Sequence, residues 1–156
     1  MIDSIPVMGT MIAQTIQLAL APVFVLVAIG NIIGTLTQRL GRVVDRSRQL
    51  QREHGETEGM AHDVVVREIR SLDHRIALIG SALLRLVLAG IAIGITVVLL
   101  FVAEFAHVGL NSAAAAAFII AIGLLMWALL IFLKETREAA RALRIPEEFL
   151  EKDRKL

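Results

Sequence analysis

The stretch "NIIGTLTQRLGRVVDRSRQL", residues 31–50, carries the sharpest change of character along the chain. An apolar run that begins near Met11 ends within it. Arg39, Arg42, Arg46 and Arg48 then follow in quick succession, with Arg52 just beyond. No glycine-proline break separates the two halves. Leu36, Leu40, Val43 and Leu50 recur in alternating four-three steps, and Ser47 fills the remaining position. That spacing is the seam of paired helices. One helix therefore passes through the change: the arginines mark where it leaves lipid, and the seam carries it on into water.

A second seam follows the break "EHGETEG" at residues 53–59. Val65, Ile69, Leu72, Ile76, Ile79 and Leu83 repeat the same spacing. Pairing the two antiparallel sets Leu50 against Val65, Val43 against Leu72, Leu40 against Ile76 and Leu36 against Ile79, in one constant register. The segment 37–82 is thus predicted to be a helical hairpin. Its first arm, Thr37 to Glu53, extends roughly 25 Å beyond the lipid at 1.5 Å per residue.

Composition agrees with a membrane origin for the flanking runs. Of 156 residues, 56% are hydrophobic and 20% charged, more apolar than a typical soluble domain. Three stretches meet the requirement of about 20 apolar residues for a ~30 Å hydrocarbon core: about 11–36, 83–105 and 113–133. A cleaved signal peptide is not expected, because no Lys or Arg precedes the first run. The net charge of +1 gives no pull towards nucleic acid. Cysteine is absent, which excludes disulfides and thiolate metal sites.

Every Lys and Arg lies between Arg39 and Arg85 or from Lys134 onwards. The positive-inside rule then places the N-terminus outside and the hairpin and C-terminus in the cytoplasm. Beyond span three, "KETREAARALRI" is expected to continue as helix until Pro146 stops it. The charged tail after it completes a cytoplasmic segment 134–156. The expected fold is all-α: one membrane domain over 1–156, with three transmembrane helices and a protruding cytoplasmic hairpin between spans one and two.

Span one also bears a polar stripe. Gln14, Gln17, Asn31, Thr35 and Gln38 share a helix face, with Ala21, Phe24 and Ala28 between them. Amides in lipid are costly and turn towards other helices or water. The plain reading is interhelical hydrogen bonding within or between subunits. The sharper reading is a pore lining, which demands several copies because three spans enclose no channel. Gly30/Gly34 and Gly90/Gly94 form two Gly-xxx-Gly motifs that permit close helix packing. Pro22 lies inside span one and is expected to kink it.

Arg85 stands at or just inside the inner boundary. The hairpin register sets it opposite Gly30 and beside Asn31, far from any carboxylate foreseen at that depth. An arginine there either snorkels to an anionic lipid headgroup or charges a wet inner mouth. Arg39 and Arg42 are further candidates for anion or lipid-headgroup contact. The other charges flanking the seam read as a solvated, salt-bridged face. Glu104 and His107 lie three apart but lack further ligands, so no metal site is expected; His54 and His62 flank the turn. No nucleophile–base pair, phosphate loop or dinucleotide fingerprint occurs, so neither enzymatic activity nor a cofactor is expected.

The segments "LAPVF" at 20–24, "LTQRLGRVVDRSRQL" at 36–50 and "LDHRIALI" at 72–79 resemble a widespread bacterial family of small membrane proteins known as a domain of unknown function. The resemblance implies a three-span inner-membrane protein and brings no catalytic residues. Two functional classes follow from the residues. One is a small homo-oligomeric channel or conductance pathway lined partly by span one. The other is a non-conducting structural or regulatory protein whose arginine-rich hairpin binds anionic lipid or a cytoplasmic protein partner.

Overall fold

A computed structural model of the chain describes residues 4–106 and 108–142. It contains three helices: α1 (Ser4–His54), α2 (Gly59–Ala106) and α3 (Asn111–Ala142). Each is long and apolar enough to cross a membrane. α1 and α2 run well past the length of a span, as the two seams require. Pro22 lies inside α1 without ending it. The stop at Pro146, the tail, and His107 of the Glu104/His107 spacing lie outside the described residues.

The break at 53–59 is a tight turn. The amides of Gly55 and Glu56 donate to the carbonyls of Arg52 and Glu53 at 3.2 and 3.0 Å. The Thr57 hydroxyl donates to the Glu53 carbonyl at 3.1 Å. These bonds satisfy the last acceptors of α1. Gly59 opens α2 at φ 62°, a left-handed conformation that glycine adopts without a Cβ clash.

Packing follows a seven-residue repeat on all three helices. Ile29, Leu36, Val43 and Leu50 are buried on α1, and Val65, Leu72, Ile79, Leu86 and Ile93 on α2. On α3 the same step gives Ala114, Ala121, Ala128 and then Glu135. A sustained seven-residue repeat keeps one narrow face against a partner and imposes a left-handed supercoil. The seams read in the 36–83 segment therefore continue into the apolar parts of both helices.

α2 packs against both neighbours, whereas α1 and α3 touch sparsely. Alanine dominates the buried face of α3, and Ala82 and Ala89 are fully buried on α2. Small side chains let backbones approach and gain dispersion contacts, which is how apolar helices associate in lipid. The outward faces carry exposed Phe24, Leu84, Ile91, Val98, Ile119 and Leu130. Three long helices with such extensive apolar outer surface mark a multi-pass membrane protein.

Candidate functional site: a buried carboxylate, an arginine recess and an open polar face

Glu135 is the one buried carboxylate among the described residues, with none of its surface exposed. It occupies the helix position that alanine holds one, two and three heptads earlier. Arg75 of α2 donates to its Oε1 from Nε and Nη2, at 3.3 and 3.1 Å. Arg39 of α1 places Nη2 2.9 Å from Oε2. That approach is out of line for a hydrogen bond, so Oε2 is buried without one. Arg39 also donates from Nη1 to the Thr136 hydroxyl at 3.3 Å and lies 5.2 Å from the Phe132 ring centre. A charge-paired cluster thus joins all three helices just beyond the apolar part of α3. Burying an ion is tolerable only with such pairing.

Around this cluster the arginines form a recess. Arg39, Arg42, Arg46 and Arg75 line an open cavity of about 440 Å³, with Glu68 as its only acidic lining residue. Arg46 donates from Nε and Nη2 to the two Glu68 oxygens, at 2.9 and 3.1 Å. That bidentate pair raises the Arg46 pKa above its ordinary value. Arg42 is exposed, and among the described residues it makes no ion pair. His74 of α2 lies 3.4 Å from Glu138 of α3, a looser link between those helices, and Lys134, one turn earlier on α3, approaches the same carboxylate at 3.9 Å.

The polar stripe is fully on the outside. Gln14, Gln17, Asn31, Thr35 and Gln38 are all exposed, on the side of α1 away from its buried seam. Thr35 donates back to the carbonyl of Asn31 at 3.1 Å. Among the described residues, Asn31, Thr35 and Gln38 make no side-chain hydrogen bond to another helix. Interhelical bonding inside one subunit, one branch of the plain reading, is therefore absent for these three.

The glycine expectation needs the same correction. Gly30 and Gly34 are exposed, and a Cβ at either would meet nothing within 4 Å. They make no packing contact with α2, because the buried seam of α1 lies on its other side. A Cβ at half-buried Gly94 would also meet nothing within 4 Å. Gly90 does serve packing: a Cβ there would lie 3.6 Å from Leu26 Cδ1.

Arg85 is not beside Asn31. Its guanidinium lies 4.6 Å from the ring centre of Trp127 on α3, and Nη1 donates to the Ser81 carbonyl at 2.7 Å. The cause is the rotation of α2. With Ala82, Leu86 and Ala89 in the core, residue 85 falls on the flank towards α3. Backbone and ring supply the partners that no carboxylate offers.

Glu135 lies two residues past the expected end of span three, in the segment 134–156, where residue type alone marks no site. The signal was present: stepping by seven from Ala114 through Ala121 and Ala128 lands on Glu135. At the turn, the His54 and His62 rings lie 4.3 Å apart. Among the described residues no grouping of His, Cys, Asp and Glu could hold a metal ion.

Comparison with known proteins agrees with this architecture and adds no activity. No curated protein and no solved structure matches the chain. A family described as "Protein of unknown function (DUF2721)" matches residues 19–145, from the first third of α1 to just past the described end of α3. The match takes in α1 from Ala19 onwards, the arginine-rich segment, all of α2 and α3 with Glu135, and the chain belongs to that family.

Proposed function

We propose that the protein is a non-enzymatic, homo-oligomeric inner-membrane protein whose copies meet through the polar face of α1 and enclose a conductance pathway. One observation carries this reading: the whole stripe from Gln14 to Gln38 is exposed on the isolated chain. An amide without a partner in an apolar setting costs about 1–3 kcal/mol. Asn31 and Gln38, which bond to no other helix, together with exposed Gln14, Gln17 and two open glycines, favour cover by neighbouring copies and by water over bare lipid. The open Gly30 and Gly34 suit close approach of a second α1.

In this reading the N-terminus is outside, and the turn and C-terminus are cytoplasmic, following the basic residues. The segment 37–82 is an antiparallel cytoplasmic hairpin that stands above the inner leaflet. Arg46 meeting Glu68 across the turn supports that register.

The test is ion flux from vesicles holding the purified protein with Gln38→Cys. The natural chain has no cysteine, so the new thiol is unique. Flux that falls when a thiol reagent reacts at residue 38 supports the lining role. Absence of flux from correctly assembled protein contradicts it.

A second reading rests on the arginine recess: a non-conducting regulatory protein whose hairpin base binds anionic lipid or a cytoplasmic partner. Four arginines against one lining carboxylate favour it.

A further inference from the structure

We infer that the recess at the base of the hairpin is a binding site for a phosphate group. This deepens the lipid-binding reading by naming the group bound, and it does not depend on conduction.

Arg46 pairs with Glu68 through two hydrogen bonds and also approaches Glu53 at 3.9 Å. Arg39 and Arg75 share the single carboxylate of Glu135. Arg42 has no ion-pair partner among the described residues. With Glu53 counted, four guanidiniums face three carboxylates, which leaves a surplus of one positive charge and the unpaired donors of Arg42 in the recess. A phosphomonoester carries roughly −1.5 to −2 at neutral pH and offers several strong acceptor oxygens. Guanidinium groups match those oxygens in pairs.

Geometry agrees. The recess holds about 440 Å³, within the usual range of ligand sites. Arg39 and Arg75 are fixed in place by Glu135, so two of the donors are preorganised rather than waving side chains. Residue 39 follows the apolar part of α1 by one turn, and Ala139 follows that of α3 by two. That sets the recess at the level of lipid phosphates. It remains open to water, so the same chemistry could arrive on a lipid headgroup or on a soluble phosphate.

The experiment uses the full chain in discs of neutral phosphatidylcholine, titrated separately with phosphatidic acid and with inorganic phosphate, and read by thermal unfolding. Saturable stabilisation by phosphatidic acid alone identifies a headgroup site. Stabilisation by inorganic phosphate identifies a soluble ligand. In either arm Arg42→Gln should weaken binding about fivefold, while Arg48→Gln, exposed and outside the recess, should leave it unchanged. No saturable stabilisation by either probe overturns the inference. Equal weakening by the two substitutions also overturns it, while leaving a diffuse attraction of the hairpin for anionic lipid intact.

Discussion

Arg39 of α1 and Glu135 of α3 stand 2.9 Å apart and join two helices that otherwise touch sparsely. Arg75 of α2 completes the cluster from the other side of the carboxylate. Three helices that pack mainly through small apolar side chains are thus pinned to one another at a single charged point.

Removing that point should be expensive. Glu135→Gln leaves two partly buried guanidiniums facing each other without a counter-charge. Breaking a buried pair in this way costs about 3–5 kcal/mol. At about 2–4 °C per kcal/mol for a chain of this size, thermal unfolding in detergent should fall by at least about 6 °C. Arg39→Gln should cost less, because Arg75 still pairs with Oε1. Equal unfolding temperatures for wild type and Glu135→Gln would show that the cluster contributes nothing to holding the helices together.

Much of the fold was legible because it is written in periodicity. The four-three steps from Leu36 to Leu50 and from Val65 to Leu83 identified two seams, and the structure buries Val43, Leu50, Val65, Leu72 and Ile79 along them. The sites were harder to read, because periodicity along one helix does not give its rotation against two neighbours. Arg85 was set against Asn31 by extending a two-helix register, and a third helix offered it Trp127 instead. Gly30 and Gly34 carry a packing motif but lie on the open side of α1. Glu135 is distinguished from its charged neighbours only by standing in heptad step with Ala114, Ala121 and Ala128.

The Arg85–Trp127 contact should behave as an energetic pair. A cation over an aromatic ring contributes about 0.5–2 kcal/mol, more where water is excluded. A double-mutant cycle with Arg85→Gln and Trp127→Leu should therefore give a coupling of about 1 kcal/mol in unfolding free energy. Purely additive effects would mean that the guanidinium is held by the Ser81 carbonyl alone. Trp127 is the chain's single tryptophan and is exposed, so brominated lipid should quench its fluorescence strongly.

Orientation can be read with single cysteines in intact cells. Thiols introduced by Ser4→Cys and Asn111→Cys should react with an impermeant reagent applied outside. One introduced by Glu56→Cys, in the turn, should react only after the membrane is opened. Labelling of residue 56 in sealed cells would invert the proposed topology.

The claim that copies meet through the polar face of α1 is tested most directly by disulfide crosslinking of single-cysteine chains in native membranes. Thr35 lies on the open face between Gly34 and Gln38, and Ile119 is an exposed position on α3. Under mild oxidation, Thr35→Cys should yield covalent dimers and Ile119→Cys should remain monomeric, since a disulfide requires Cα atoms within about 7 Å. Dimers from Ile119→Cys with none from Thr35→Cys would contradict the account and turn the polar face of α1 away from any neighbouring copy.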